Sequence, residues 1–198
     1  MALCGDTIKE LIRTRGLVRD EGGAVFDLKT SREMPYLDYV ISNVGADNLD
    51  VRIGYEFKRL KTSGLSYIDL VSEYEYEKLP LSEDGFFYLQ SGEFCLATTM
   101  EHIRLPSTIK AQIDSRSSIG RRGLVIQNAT HIHAGFEGRI TLELKNEAAA
   151  AIRIKPGDIV GQIIFDYLDK ETSNPYDGVF QGQDGATEPR SGLADLFK

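Results

Sequence analysis

A mainly β fold behind a short N-terminal helix is what this 198-residue sequence predicts. Three observations carry the prediction. Short apolar runs recur at close spacing from Leu49 onward. Turn residues separate several of them: Gly85, Ser91-Gly92 and Pro106-Ser107. The segment Arg139-Ile140-Thr141-Leu142-Glu143-Leu144-Lys145-Asn146 alternates with the two-residue period of a strand. Short strands so spaced pack as an all-β sandwich or barrel.

Taken in order, the chain opens on a helix signal. Thr7-x-x-Glu10 has capping-box spacing, Ile8, Leu11 and Ile12 share a helical face, and Gly16 is a natural stop. Residues 19–47 are polar, broken by Gly22-Gly23 and Pro35, and read as loop with at most short strands. Leu49–Ile53 alternates, Gly54 interrupts, and Tyr55–Leu60 resumes. Apolar runs follow at Tyr67–Val71, Phe86–Leu89, Phe94–Thr98, Ile103–Leu105 and Ile109–Ile113. The alternating Glu/Tyr run at 72–78 fits a solvated strand or a loop equally well. Ala151–Ile154 and Ile159–Tyr167 flank Lys155-Pro156-Gly157-Asp158, a hairpin signal. From Asp169 the chain turns Gly- and Pro-rich with little to fill a core. We therefore expect one domain over residues 1–168. The tail over 169–198 either frays or orders as a lid over a ligand.

Composition narrows the function. A hydrophobic share of 41% with 27% charged residues is that of a globular protein with a substantial core. The net charge of -7 predicts no broad basic surface, and so no nucleic-acid partner. Cys4 and Cys95 form neither a metal spacing nor a disulfide framework. No apolar run approaches the ~18 residues of a membrane span, and no signal peptide is recognisable. The expectation is a cytoplasmic protein.

Chemistry concentrates between Asp114 and Asn146. Arg116-Ser117-Ser118-Ile119-Gly120-Arg121-Arg122-Gly123 puts three guanidinium groups and two hydroxyls beside an expected helical turn. Free helix-start N–H groups and planar Arg forks suit phosphate oxygens. On the following strand, Glu143 shares a face with Thr141 and Lys145, opposite the apolar row of Ile140, Leu142 and Leu144. The block thus offers a polyanion grip and a carboxylate on a rigid strand.

The block Arg-Ser-Ser-Ile-Gly-Arg-Arg-Gly-Leu, followed by His133-Ala134-Gly135-Phe136-Glu137-Gly138 and the alternating strand, resembles the dCTP deaminases of the trimeric dUTPase superfamily. Further likeness lies in Leu49–Gly54, in Phe87-Tyr88-Leu89 with Gly92-Glu93 and Leu105-Pro106, and in Gln181-Gly182-Gln183-x-Gly185-Ala186 with Pro189-Arg190. The resemblance implies a distorted β-barrel of the dUTPase-like, β-clip type with few helices, assembled as a homotrimer with intersubunit sites. It implies that Glu143 is the catalytic carboxylate, supported by Ser117 and Arg121. It assigns nucleotide contacts to Arg116, Ser117, Ser118, Ile119, Gly120, Arg121, His133, Thr141, Leu142, Gln162, Tyr176 and Gln183.

The implied reaction is deamination of dCTP to dUTP with release of ammonia. Alternatives are a bifunctional enzyme that carries dCTP to dUMP, a dUTPase-like pyrophosphatase, or a non-catalytic nucleotide-binding protein. Water attacking C4 of cytosine needs a base, then an acid at the ring and the departing amine. One carboxylate can serve in turn, contributing ~10²–10⁴-fold. Zinc deaminases instead need H-x-E and P-C-x-x-C, which His131-Ile132-His133 does not supply. We expect no zinc, with Mg²⁺ entering only as the counterion of the triphosphate. Three positions depart from the family pattern. His133 stands where an aspartate is usual, Val179 where a tail lysine is usual, and 125–130 is one residue short. His131 reads as an ordinary histidine. Gln162 matches a glutamine of bifunctional members.

Overall fold

The computed structural model describes residues 1–27, 29–70, 72–127 and 131–190. Three helices are present among them: α1 (Gly5–Arg15), α2 (Tyr36–Ser42) and the single turn α3 (Ser117–Gly120). The strands are β1 (Ala24–Asp27), β2 (Arg32–Pro35), β3 (Asn48–Arg52), β4 (Phe57–Leu60), β5 (Tyr76–Leu79), β6 (Phe87–Leu89) and β7 (Phe94–Arg104). They continue with β8 (Ile109–Ser115), β9 (Leu124–Gln127), β10 (His131–Ile132), β11 (Glu137–Asn146), β12 (Ile152–Ile154) and β13 (Ile159–Tyr167). The mainly β expectation with few helices holds. The strands form open sheets in place of a closed barrel: β10-β8-β13-β3, β5-β4-β7-β11-β9, and the pairs β1-β2 and β12-β6. Ile53, just past β3, bridges Thr99 of β7 and ties the two large sheets together. One hydrophobic cluster fills the space between them, with Ile113 and Phe165 from one sheet and Phe57 and Leu142 from the other. Among the described residues no helix is long and apolar enough to cross a membrane.

Several local expectations change. The helix begins at Gly5, with Cys4 as its N-cap, so Thr7 and Glu10 lie inside it and form no capping box. The chain is pinned earlier, because the Gly5 N–H donates to the Ala46 carbonyl at 2.6 Å. Ile8 and Ile12 are buried as their spacing requires, and Gly16 caps the end in the left-handed region. The stretch 19–47 is not mere loop: β1 and β2 pair antiparallel and α2 follows Pro35. Tyr36 and Val40, one helical turn apart, are buried there, with Leu37 and Ile41 against the core. Residues 67–70 of the Tyr67–Val71 run form no strand, and Val71 lies outside the described residues. Tyr67, Ile68 and Leu70 are exposed, and the Asp69 N–H donates to the Tyr74 hydroxyl at 2.6 Å.

The expected hairpin at 155–158 is also corrected. The turn forms, but β12 pairs with β6, while β13 pairs with β8 and β3. Its backbone docks on Ile53, which donates to Asp158 O (2.9 Å) and accepts from Gly157 N–H (2.8 Å). Those bonds send the two apolar runs into different sheets.

Under this layer lies a buried ion pair. Arg52 Nε donates to Glu101 Oε1 at 2.7 Å and the Arg52 main-chain N–H to Oε2 at 2.8 Å. Both side chains are sealed from solvent. Removing one partner strands the other charge, so Glu101→Ala should cost about 3–5 kcal/mol. A thermal melt should then fall by on the order of 10 °C. Unchanged melting would mean that the pair holds nothing together.

Candidate active site

Strand β11 sets the geometry. It lies between β7 and β9, with Glu143 opposite Leu96 on one side and Gln127 on the other. Burial alternates along its whole length, so Ile140, Leu142 and Leu144 enter the core while Thr141, Glu143 and Lys145 face away from it. The predicted alternation is therefore observed. Leu142 is fully buried, so its side chain belongs to the core and only its main chain could meet a ligand.

The outward face looks into a cavity of about 760 Å³. Glu143, Thr141, His133, Tyr176 and Gln183 line it, together with Arg190. Burial pushes the Glu143 carboxyl above the ordinary carboxylate range, which disfavours its charged form. A base poised this way is matched to proton transfer nearer neutral pH. The rings of His133 and Tyr176 lie parallel, 5.6 Å between centroids, and Phe136 tilts against Tyr176 at 5.9 Å. His131, expected to be an ordinary histidine, is exposed on the same cavity wall. Burial, then the neighbouring His133 and Lys110, hold its imidazolium form down.

Two glycines bring the tail onto this face. Gly135 has φ 91° and Gly138 has φ 151°. A Cβ on Gly135 would stand 2.8 Å from Tyr176 N, and one on Gly138 2.8 Å from Gln183 O. Neither position has room for a side chain. The tail then follows β11 closely. Gly182 N–H donates to Glu137 O (2.8 Å), Arg139 N–H to Gln183 O (2.9 Å) and Thr187 N–H to Thr141 Oγ1 (3.2 Å). Lys58 of β4 pairs with Glu188 at 2.8 Å. The tail up to Arg190 is thus laid across the strand that carries Glu143; residues 191–198 lie outside the described part. The Gln183 side-chain amide, expected to reach a nucleotide, donates to Arg139 O at 2.7 Å.

The Arg116–Gly123 block stands elsewhere. None of Arg116, Ser117, Ser118, Ile119, Gly120, Arg121 or Gln162 lines the Glu143 cavity of its own chain. The block does contain a helical turn, α3, with Ser117, Ser118, Gly120 and Arg121 exposed. Arg116 Nη1 pairs with Asp50 Oδ2 at 3.0 Å, and Arg122 Nη1 folds back on Ser118 O at 2.6 Å. Gln162 on β13 sits in register between Asp50 of β3 and Asp114 of β8. It therefore belongs with the Arg116 group and not with Glu143. The shortened stretch 125–130 is described only to Gln127; residues 128–130 lie outside the described part.

Sequence pattern alone did not single out Phe136, Phe180 or Arg190 as cavity residues. Arg190 carries the signal most open to recovery, a cation in a tail otherwise poor in them. In the cavity it is the one Lys or Arg among the described lining residues, and its Nη1 donates to Val179 O at 2.6 Å. It brings positive charge to the place where Val179 has none.

Comparison with known proteins identifies the family. A family model described as dCTP deaminase-like matches residues 27–168. The chain is 33% identical over 192 residues to a protein of Persephonella marina named "dCTP deaminase, dUMP-forming", covering 96% of this chain and 97% of that one. A protein of Aquifex aeolicus with the same name is 35% identical over 175 residues, 88% of this chain and 96% of its own. A "dCTP deaminase" of Pasteurella multocida is 33% identical over 67% of this chain and 74% of its own. Among solved structures, the 2'-deoxycytidine 5'-triphosphate deaminase of Agrobacterium tumefaciens superposes with a TM-score of 0.58 at 20% identity. That match covers 83% of this chain, which spans about half, 47%, of the other. With its alternating β11, its two close-packed glycines and its Arg-Ser-Ser block, this chain belongs to the dCTP deaminase-like family.

Proposed function

We propose that this protein deaminates dCTP, with Glu143 as the base and acid. The observation that carries the reading is the half-buried Glu143 carboxyl, raised by burial and facing a nucleotide-sized cavity. Glu143 takes a proton from water as the oxygen bonds to C4. It passes that proton to the ring nitrogen, then moves the remaining proton of the new C4 hydroxyl to the amine, so the carbonyl forms, C–N breaks and ammonia leaves. Ser117 and Arg121 position the water and polarise the base. His133, Thr141 and Tyr176 hold sugar and ring. Mg²⁺ arrives on the triphosphate oxygens.

A triphosphate needs more positive charge than Arg190 supplies. The exposed Arg116–Arg121 block is the natural complement, and on this chain it lies outside the Glu143 cavity. We infer that a second copy brings it, which fits a homotrimer whose sites lie between subunits. Two unpaired cysteines, Cys4 exposed and Cys95 buried, support a reducing cytoplasmic setting.

The product is the finer question. The Persephonella and Aquifex relatives are named dUMP-forming, and Gln162 stands beside the Arg116 block. Both favour onward cleavage of dUTP to dUMP and pyrophosphate over release of dUTP. The deciding assay follows ammonia, pyrophosphate and nucleotide from dCTP and Mg²⁺. Ammonia with dUMP supports the bifunctional reading, and ammonia with dUTP the monofunctional one. Pyrophosphate without ammonia would reject deamination altogether.

Arg190 gives a separate expectation. Its removal should raise KM for dCTP by about tenfold, the loss of one charge-assisted phosphate contact of ~1.5 kcal/mol. Steady-state kinetics of Arg190→Ala should show kcat changed far less. An unaltered KM would take Arg190 out of the phosphate grip.

A further inference from the structure

The wall of the Glu143 cavity carries a pair of imidazoles that the proposed deamination does not need as a pair. The chain has three histidines, and His102 is buried at 4% exposure. The other two, His131 and His133, occupy alternate positions about β10. Ile132 between them turns into the core, and both histidines are exposed. Their rings meet edge to face, 4.6 Å between centroids. No hydrogen bond or ion pair among the described residues engages either ring. Tyr176 backs His133 in parallel at 5.6 Å, and its own N–H is anchored on Ala134 O at 2.8 Å.

That spacing suits a chelate. Metal–imidazole bonds run about 2.0–2.1 Å, which puts an ion ~3.2 Å from each ring centroid. Two centroids 4.6 Å apart then subtend an angle of about 90° at the ion, the cis angle of octahedral or square-planar coordination. From the present edge-to-face arrangement, chelation requires rotation about the Cβ–Cγ bonds, whose wells are broad. Imidazole nitrogen selects borderline ions such as Ni²⁺ and Cu²⁺; Mg²⁺ prefers oxygen. Lys110 and Asp177 line a neighbouring cavity together with both histidines, one charge of each sign.

We propose that His131 and His133 form a two-imidazole site for a divalent transition-metal ion of the Ni²⁺ or Cu²⁺ class, on the wall of the Glu143 cavity. Water completes the coordination, since no three His, Cys, Asp or Glu groups converge there among the described residues. An ion held there narrows the cavity from the side of His133.

The test is calorimetric titration of the full chain with Ni²⁺ alone, in a non-chelating buffer and a Cys4→Ser background that removes the exposed thiol. The expected result is one Ni²⁺ per chain. His131→Ala and His133→Ala should each weaken binding by about a hundredfold, as expected when a two-point attachment becomes one-point. Cu²⁺ electron paramagnetic resonance should show nitrogen coupling from two imidazoles in the parent and fewer in either variant. Circular dichroism checks that both variants remain folded. Absence of binding, or equal binding by parent and variants, overturns the proposal. The readout is metal binding alone, so it stands or falls apart from dCTP turnover.

Discussion

Glu143→Gln should stop ammonia release from dCTP, lowering kcat by at least ~10²-fold, the usual contribution of a positioned base. Gln keeps the shape and hydrogen-bonding reach of the side chain but cannot accept the proton. Nucleotide affinity, measured by calorimetry with dCTP and Mg²⁺, should stay within a few-fold. Turnover that survives the change would remove Glu143 from the mechanism. A pH profile of the parent adds an independent check. Burial raises the Glu143 carboxyl, so the base is lost as pH falls through that raised value. The acidic limb of kcat/KM should therefore lie above the ~4.3 of an unperturbed glutamate. Activity flat through that region, with no limb above it, would assign the base elsewhere.

Mixing two inactive variants should restore activity. Glu143→Gln keeps the Arg116–Arg121 block, and Arg121→Ala keeps the carboxylate. If each site joins the block of one subunit to the Glu143 of the next, a cyclic trimer assembled at random from equal amounts regains about a quarter of its sites. The measurement is ammonia release after co-refolding, compared with either variant alone. Recovery to that level would demand sites shared between copies. No recovery would mean that block and carboxylate meet within one chain, contrary to the separation seen here.

Pattern and structure agree best where side chains alternate. β11 was legible because polar and apolar residues follow one another strictly, and a strand buries only every second residue. The helical face of α1 was legible for the same kind of reason. Its start was not, because the Gly5–Ala46 contact lies far along the chain. Helix α2 was hidden by its length; seven residues hold barely two turns of pattern. The run at 67–70 misled because apolar composition says nothing of whether a neighbouring strand will accept the backbone.

By itself the sequence determined the mainly β class and the outward placing of Glu143, and it marked the Arg-Ser-Ser block as the candidate phosphate grip. Those depend on local periodicity and residue chemistry, which are written along the chain. Tertiary structure alone decided which groups meet. It laid the tail on β11 through Gly135 and Gly138, and set Arg190 in the cavity beside Val179. It grouped Gln162 with Asp50 and Arg116, and paired His131 with His133 on one wall. It also kept the Arg-Ser-Ser block away from the Glu143 cavity of the same chain. Most of these meetings depend on strand order and register between segments distant in the chain, and the period of a strand carries no record of its partner.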